Sequence, residues 1–302
     1  MMKVLFVYDS GSNCLYLRRM LDLQAEIFKD FSYTLVRLPQ YIHFNQDEFD
    51  ILIYQTFPDE THPFKFNVET VRQADDKFRT FEGKRILMDS FDDGRRDAFS
   101  RFKVWSKVYP RIKSVPSWYM VKNFNVIFSV PPYFGTDTIE PVEDSTRDIM
   151  AHFAPTLDVG IYSHDIRKRI LEILRNNFNG ECNLTRIPRK SYPEFLRRVQ
   201  ISITGPAFGP CSNTFWTAMQ YGALSMAEET VDGYKLLSKV DFIEGEDYVS
   251  FSLKSLVDKL RYLFKNPSER ERISKSGQRK FQEGYNLPQS AREFHAVLEN
   301  LK

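Results

Sequence analysis

The chain has 302 residues, of which 42% are hydrophobic and 27% charged, and its formal net charge is +2. A chain of this length exceeds the usual size of one domain, so we expect two domains with separate cores. The mild charge gives no general indication of nucleic-acid binding, and no apolar run approaches the roughly 18 residues of a membrane-spanning helix. The N-terminal segment lacks the features of a signal peptide, so we expect a cytoplasmic protein.

The three cysteines, Cys14, Cys182 and Cys211, are odd in number and far apart in the sequence. None has the Cys-x-x-Cys or His-Cys spacing of a zinc site, so we interpret them as reduced thiols. No Asp-x-Asp motif occurs either. We therefore predict that the protein needs neither a metal ion nor a bound cofactor.

The first half of the chain alternates predicted strands and helices. Strands are predicted at 3–8, 33–38, 50–55, 84–89, 105–109 and 125–130, and helices at 13–30 and 68–81. The strands are apolar without alternation, which is typical of a parallel sheet that is covered on both faces. Proline and glycine at 131–135 end this pattern, and the polar segment 136–147 reads as a linker.

The second half repeats the alternation. Strands are predicted at 158–162, 184–187, 201–203, 223–227 and 247–251, and helices at 166–178, 192–198, 255–265, 268–285 and 287–301. A further helix is predicted to begin at 212 or 213 and to lead into the strand at 223–227. We assign 1–140 to an N-terminal domain, 141–285 to a C-terminal domain, and 286–302 to a helix that packs back. The predicted fold class is α/β, with two Rossmann-like domains facing a central cleft.

A βαβ unit at 200–229 is the most informative stretch for function. Its strand leads into a Gly/Pro-rich loop, which is followed by a helix capped by Ser212 or Asn213. The start of a helix offers free backbone N–H groups and favours phosphate. We therefore predict a diphosphate at Gly209, Ser212, Asn213 and Thr214, although the same residues could simply turn the chain.

Three passages carry a resemblance to a known family: 158–174 (DVGIYSHDIRKRILEIL), 212–229 (SNTFWTAMQYGALSMAEE) and 242–281. The second half resembles the nucleotide-binding domain of GT-B glycosyltransferases, closest to the CgeB-like group, with a weaker similarity to exostosin-type and family 4 enzymes. The resemblance implies that the first passage contacts the donor diphosphate and that the second lies under the nucleotide. It also implies that the domain 141–285 is the nucleotide-sugar side and the domain 1–140 the acceptor side. It covers about half of the chain, and the first half matches only in its pattern of strands.

The sequence departs from that family at the helix under the nucleotide. Family 4 enzymes carry a Glu before an Ala-Met pair, where it holds the ribose, whereas Thr217 occupies this place here. Glu228 and Glu229, at the end of the next predicted strand, are the candidates for the missing carboxylate. The alternative is that both glutamates are only solvated.

Arg167 and Arg169 lie in the first turns of the helix that begins after Ser163 and His164. Cations there oppose the helix dipole, and a bound diphosphate would explain them. One of the two arginines could neutralise the nucleoside diphosphate as it leaves, with Ser163 and His164 as further contacts. The alternatives are a surface arginine paired with a nearby carboxylate and a histidine that only caps the helix.

The acceptor hydroxyl would need a base in the first half. Asp9 and Asp89 directly follow predicted strands and are the candidates, although a retaining enzyme could work without a base. Ser10 and Gly11 lie where the first loop of the family approaches the donor phosphate. A basic cluster with interleaved aromatic residues at 95–118 could hold a carbohydrate or a nucleic acid, or it could be a solvated face.

These features predict a hexosyl- or pentosyltransferase that moves a sugar from a nucleotide-sugar donor to a hydroxyl acceptor. The acceptor would be a glycan or a modified nucleic-acid base. Two alternatives remain open: a non-catalytic nucleotide-sugar or glycan-binding module on the same scaffold, and a nucleotide-sugar epimerase. No membrane partner is expected.

Overall fold

The computed structural model describes residues 1–8, 23–55, 68–89, 126–129, 146–155, 164–188, 191–206, 213–229, 240 and 242–302. Contacts divide the chain into two compact units. Unit 1 comprises Met1–Gly135 together with Asn286–Lys302, and unit 2 comprises Thr136–Tyr285. The C-terminal segment is thus part of the N-terminal unit.

Each unit contains a five-stranded sheet in which all pairs of strands are parallel. The strands of unit 1 are β1 Lys3–Tyr8, β2 Ser32–Arg37, β3 Ile51–Gln55, β4 Lys84–Asp89 and β5 Val126–Ser129. Those of unit 2 are β6 Ile149–His152, β7 Cys182–Asn183, β8 Val199–Thr204, β9 Leu224–Glu228 and β10 Val249–Phe251. The strand orders are β2-β1-β3-β4-β5 and β7-β6-β8-β9-β10, which is one doubly wound topology used twice.

The described helices are α1 Gln24–Ile27, α2 Leu38–Tyr41, α3 Val68–Thr80, α4 His164–Asn177, α5 Tyr192–Leu196, α6 Asn213–Gln220, α7 Leu256–Lys265, α8 Pro267–Gly284 and α9 Leu287–Glu299. Proline at the first or second position begins several of them, because a missing N–H costs nothing there. None of these helices combines the length and apolar composition that a bilayer span requires.

The core of unit 1 contains residues from both ends of the chain. Val4 and Phe6 of β1 pack in one apolar cluster with Leu287, Phe294 and Leu298 of α9, and all five side chains are buried. The apolar positions of α9 recur at helical spacing, so one face of the helix covers the sheet. This packing explains why the last residues fold with the N-terminal unit.

The core of unit 2 surrounds its sheet on both sides. Ile201, Ile203 and Met226 are buried with apolar residues of α4, α7 and α8 in one cluster. A second group on α5, β8 and α6 includes Leu196, Val199 and Ala218. The strands are buried on both faces, as the apolar runs in the sequence predict.

Most predicted elements match the structure within one or two residues, but two features of unit 2 differ. The predicted strand at 184–187 is wrong, because the strand is Cys182–Asn183 and residues 184–188 are irregular. There the Asn183 side chain accepts a hydrogen bond from the backbone N–H of Thr185 at 3.0 Å, which turns the chain. The strand β6 was not predicted at all, and the predicted strands at 105–109 and 158–162 lie outside the described residues.

Candidate functional site

Unit 2 contains a cavity of about 520 Å³ at the carboxyl ends of its central strands. Its lining comes from the segment after β6, from residues 186–188 beyond β7, from the end of β8, and from the first turns of α4 and α6. The lining residues are His152, Phe153, Ala154, Pro155, Arg167, Arg186, Ile187, Pro188, Tyr192, Ile203, Thr204, Gly205 and Thr214. Seven of them (Phe153, Ala154, Pro155, Ile187, Pro188, Ile203 and Gly205) have no polar side chain, and the other six are polar.

The position of the cavity follows from the order of the strands. The chain runs from β6 to β7 on one side and then returns to β8 on the other side of β6. The two connections leave the sheet in opposite directions, which opens a crevice at the carboxyl ends of β6 and β8. Ligands of open parallel sheets bind in this crevice.

Arg167 is the cation that α4 contributes to the cavity. Its Nε donates a 2.6 Å hydrogen bond to the carbonyl oxygen of Pro206, directly after β8. Gly205 permits this approach, because a Cβ atom there would lie 3.3 Å from Arg167 Cγ and 3.2 Å from Ile170 Cδ1. The guanidinium is therefore fixed at the start of a 14-residue helix, where backbone N–H groups also favour an anion.

A group of hydroxyls lies between β8, α5 and α6; we call Tyr192, Ser202, Thr204 and Thr214 the hydroxyl cluster. Ser202 and Thr204 are two positions apart on β8 and so share one face of the sheet. Thr204 is 2% exposed, and its Oγ1 has no hydrogen-bond partner among the described residues. A buried hydroxyl without a partner is costly, which indicates that a ligand or a water completes the cluster.

Burial raises the pKa of the Tyr192 hydroxyl to about 12, and the side chains of Ser202 and Thr214 oppose part of this rise. The phenol therefore stays protonated at neutral pH and can both donate and accept. Together with Thr204, it gives the cavity an uncharged polar surface next to the cationic Arg167.

His152 ends β6 and is 3% exposed. Its Nδ1 lies 3.1 Å from the carbonyl oxygen of Asn183, and its ring packs edge-on against Phe195 at 4.7 Å. Burial lowers the pKa of this imidazole, although the contact with Asn183 opposes the shift. Since a carbonyl can only accept, the neutral ring carries its proton on Nδ1, and Nε2 is left as an acceptor.

The residues predicted as donor contacts separate into those that line the cavity and those that do not. Arg167 and Thr214 line it. Arg169 and Thr217 are absent from its lining, and Arg169 is exposed on α4. Positions two apart on a helix face different directions, which is why Arg167 and Arg169 differ.

The two glutamates proposed in place of the missing carboxylate also lie away from the lining. Glu228 is the last residue of β9 and is 4% exposed, and Glu229 directly follows it and is exposed. Neither carboxylate is among the residues that line the cavity. The described polar side chains that line it are hydroxyls (Tyr192, Thr204 and Thr214), arginines (Arg167 and Arg186) and His152, and none of them is a carboxylate.

Several predicted site residues cannot be placed. Asp9, Ser10, Gly11, Ser163, Gly209 and Ser212 lie outside the described residues. His164 and Asn213 begin α4 and α6, and Asp89 ends β4, but their side chains lie outside the described part of the structure. Their predicted roles therefore stay predictions.

Four polar residues of the cavity were missed by the sequence analysis: His152, Arg186, Tyr192 and Thr204. The one local signal for His152 was the apolar run of β6 before it, residues 149–151, which is only three residues long. Nothing local marked the other three, since their meeting depends on the order of the strands.

Comparisons with known proteins agree with the topology. No protein-family model matches the chain, and no curated protein matches it in sequence. Solved structures do match. HepE from Anabaena, in complex with UDP-glucose, has a TM-score of 0.62 at 8% identity, covering 99% of this chain and 100% of HepE. Sucrose-phosphate synthase from Thermosynechococcus elongatus has a TM-score of 0.64 at 10% identity, covering 100% and 99%.

A glycosyltransferase from Rickettsia africae matches with a TM-score of 0.55 at 10% identity, covering 99% of this chain and 98% of that one. A candidate UDP-N-acetylglucosamine 2-epimerase from Listeria monocytogenes matches with a TM-score of 0.53 at 10% identity, covering 99% and 96%. These likenesses extend over nearly the whole chain. They confirm the predicted fold class, two Rossmann-like domains as in the GT-B glycosyltransferases.

Proposed function

We propose that the protein is a glycosyltransferase that moves a hexosyl or pentosyl group from a nucleotide-sugar donor to a hydroxyl acceptor. The observation that carries the proposal is the cavity of unit 2, which combines Arg167 at the start of α4 with uncharged hydroxyls at the end of β8. HepE was solved with UDP-glucose, and the fold is the same. The donor would bind in this cavity.

Arg167 would hold the diphosphate. Glycosyl transfer leaves a nucleoside diphosphate with additional negative charge, and a fixed guanidinium beside helix N–H groups stabilises that charge as the bond breaks. The hydrogen bond from Nε to Pro206 fixes the side chain in advance, so little reorganisation is needed in the reaction. This role requires no metal ion and no bound cofactor.

The hydroxyl cluster would bind the uncharged part of the donor. Ribose hydroxyls and the edge of a base both donate and accept hydrogen bonds, and the protonated Tyr192 and the unsatisfied Thr204 can match either. We propose that these hydroxyls replace the carboxylate that is missing at Thr217.

Asp9 and Asp89 remain the candidates for the general base. This carboxylate would deprotonate the acceptor hydroxyl, which would belong to a glycan or to a modified nucleobase of a nucleic acid. The proposed location of the protein is the cytoplasm.

Incubation with a panel of nucleotide sugars tests the proposal against its two alternatives. Slow release of nucleoside diphosphate is the result expected of a transferase, because water can replace the acceptor. Conversion of one nucleotide sugar into another would favour the epimerase, for which the Listeria protein is a structural precedent. Binding without any turnover would favour a non-catalytic module.

A further inference from the structure

Three potential metal ligands meet in unit 1, where α9 packs near the end of α1. Among the described residues, Asp30, His295 and Glu299 form a group of side chains whose ligand atoms all lie within 4.8 Å of one another. His295 and Glu299 are one helical turn apart on α9, and Asp30 follows α1 by three residues. This group belongs to unit 1, whereas the donor cavity belongs to unit 2.

One nitrogen of the His295 imidazole already makes a hydrogen bond to the backbone. Its Nδ1 lies 2.8 Å from the carbonyl oxygen of Ile27, which can only accept, so Nδ1 carries a proton. Nε2 lies 3.2 Å from Asp30 Oδ2 and 3.6 Å from Glu299 Oε1. In a neutral ring, Nε2 would point a lone pair at two carboxylates, an arrangement that calls for a proton or a cation between them.

Two of the three separations, those from His295 Nε2 to the two carboxylates, suit a tetrahedral ion. Zinc binds imidazole nitrogen and carboxylate oxygen at about 2.0–2.2 Å, which places neighbouring ligand atoms of a tetrahedron roughly 3.3–3.5 Å apart. The contacts of 3.2 and 3.6 Å lie on either side of that range. A metal-binding histidine also commonly donates its other N–H to a backbone carbonyl, as His295 does to Ile27.

We propose that Asp30, His295 and Glu299 bind a divalent ion of the zinc class, with water in the fourth position. His295 is 12% exposed at its side chain and Asp30 is 54% exposed, so an ion can enter from solvent. The bound ion joins the end of α1 to α9. It therefore stabilises the packing of the C-terminal helix on unit 1 and takes no part in sugar transfer.

Lys302 forms an ion pair with Glu299 that competes with binding of the metal ion. Its Nζ lies 2.5 Å from Glu299 Oε1 and 4.7 Å from the centre of the Phe31 ring. The ammonium neutralises the carboxylate that the ion needs, and its side chain, which is 40% exposed, can turn to water when the ion binds. Removal of this competitor by Lys302→Ala tightens metal binding.

Calorimetric titration of the untagged, EDTA-treated protein with Zn²⁺ at pH 7.5 tests the site. The expected result is one equivalent bound by the wild type, at least about tenfold weaker binding by His295→Ala, and tighter binding by Lys302→Ala. His43→Ala is the control, because His43 is an exposed histidine of the same unit outside the cluster. We expect the His43→Ala variant to bind Zn²⁺ with the affinity of the wild type.

Two further measurements keep the test independent of folding. Asp30→Asn changes an exposed carboxylate without altering its shape, and it loses Zn²⁺ affinity as His295→Ala does. Bound Co²⁺ shows no thiolate charge-transfer band, which excludes the cysteines as ligands. Absence of stoichiometric binding, a thiolate band, or unchanged affinity in both His295→Ala and Asp30→Asn would overturn the proposal and leave a simple ion pair.

Discussion

Arg167 and Arg169 lie two residues apart on α4 and therefore have different environments. Arg167 lines the cavity and donates to Pro206, whereas Arg169 is exposed and absent from the lining. We expect Arg167→Ala to lower the rate of nucleoside diphosphate release by at least about tenfold, equivalent to roughly 1.4 kcal/mol of transition-state stabilisation. Arg169→Ala is the matched control in an assay of initial rates and should retain the wild-type rate. Equal rates in the two variants would show that Arg167 does not contact the diphosphate.

Thr204 provides a test in which binding and stability change in opposite directions. Thr204→Val keeps the shape of the side chain and removes the hydroxyl that has no partner in the described part of the chain. We expect nucleoside diphosphate to bind about 2- to 10-fold more weakly, since a neutral hydrogen bond contributes roughly 0.5–1.5 kcal/mol. The free protein should melt at the same temperature or higher. Unchanged affinity with raised stability would mean that the hydroxyl does not face the donor.

The buried His152 predicts a pH dependence of stability. Burial lowers the pKa of its imidazole below the usual value of about 6.5, so the unfolded chain takes up a proton that the folded chain refuses. The contribution of His152 to stability is therefore complete above pH of about 6.5 and is lost as the pH falls towards the lowered pKa. Melting temperatures of His152→Gln should decline less than those of the wild type between about pH 7 and 5.5.

At the scale of elements, Asp247 connects the segment before β10 to α8. Its carboxylate accepts from Lys280 Nζ at 2.7 Å, from Ser276 Oγ at 2.7 Å and from the backbone N–H of Ile243 at 2.8 Å. Burial alone would raise the pKa of this carboxyl, but these three contacts outweigh it and hold the pKa below its usual range. Gly277 packs so closely that a Cβ atom there would lie 2.2 Å from the Asp247 carbonyl oxygen.

We expect Asp247→Asn to destabilise unit 2 by about 1–3 kcal/mol, because a half-buried Lys280 loses its counter-ion. The change should appear as a lower midpoint in urea unfolding followed by circular dichroism. Glu271→Gln is the comparison on the same helix, since the Glu271 pair with Lys275 is more exposed. An unchanged midpoint for Asp247→Asn would show that the contacts around Asp247 do not secure α8.

Local signals in the sequence predicted most elements because apolar periodicity and caps are local properties. The strand Lys3–Tyr8 was predicted with its observed bounds, and α3 and α4 within about two residues. The strand β6 is only four residues long and follows a polar segment, so its apolar run was too short to be recognised. Residues 184–187 combine strand-forming side chains with an Asn183 turn, and the turn prevailed.

The candidate site was predicted only in part for a related reason. Arg167 and Thr214 carry local signals, because both lie at helix starts where phosphate is expected. Tyr192 and Thr204 meet only because β8 returns to the side of β6 opposite β7. Such proximity is a property of the strand order and not of any short segment. The loss of a glutamate at Thr217 was visible in the sequence, but the hydroxyls proposed to replace it were not.

At the scale of the whole molecule, the two units share one strand order, and the cavity described above lies at the carboxyl ends of the strands of unit 2. The C-terminal helix α9 completes the core of unit 1, so the last residues and the first strand depend on each other. The proposed function requires unit 2 to bind a nucleoside diphosphate through Arg167.

Calorimetry with UDP, GDP, ADP and TDP in the presence of EDTA tests this claim most directly. We expect at least one of them to bind with micromolar or tighter affinity without a metal ion, and we expect Arg167→Ala to bind the same nucleotide more weakly than Arg169→Ala does. Helix N–H groups and a fixed guanidinium provide the physical reason. Absence of binding to all four nucleotides, or equal affinity in the two variants, would contradict the account.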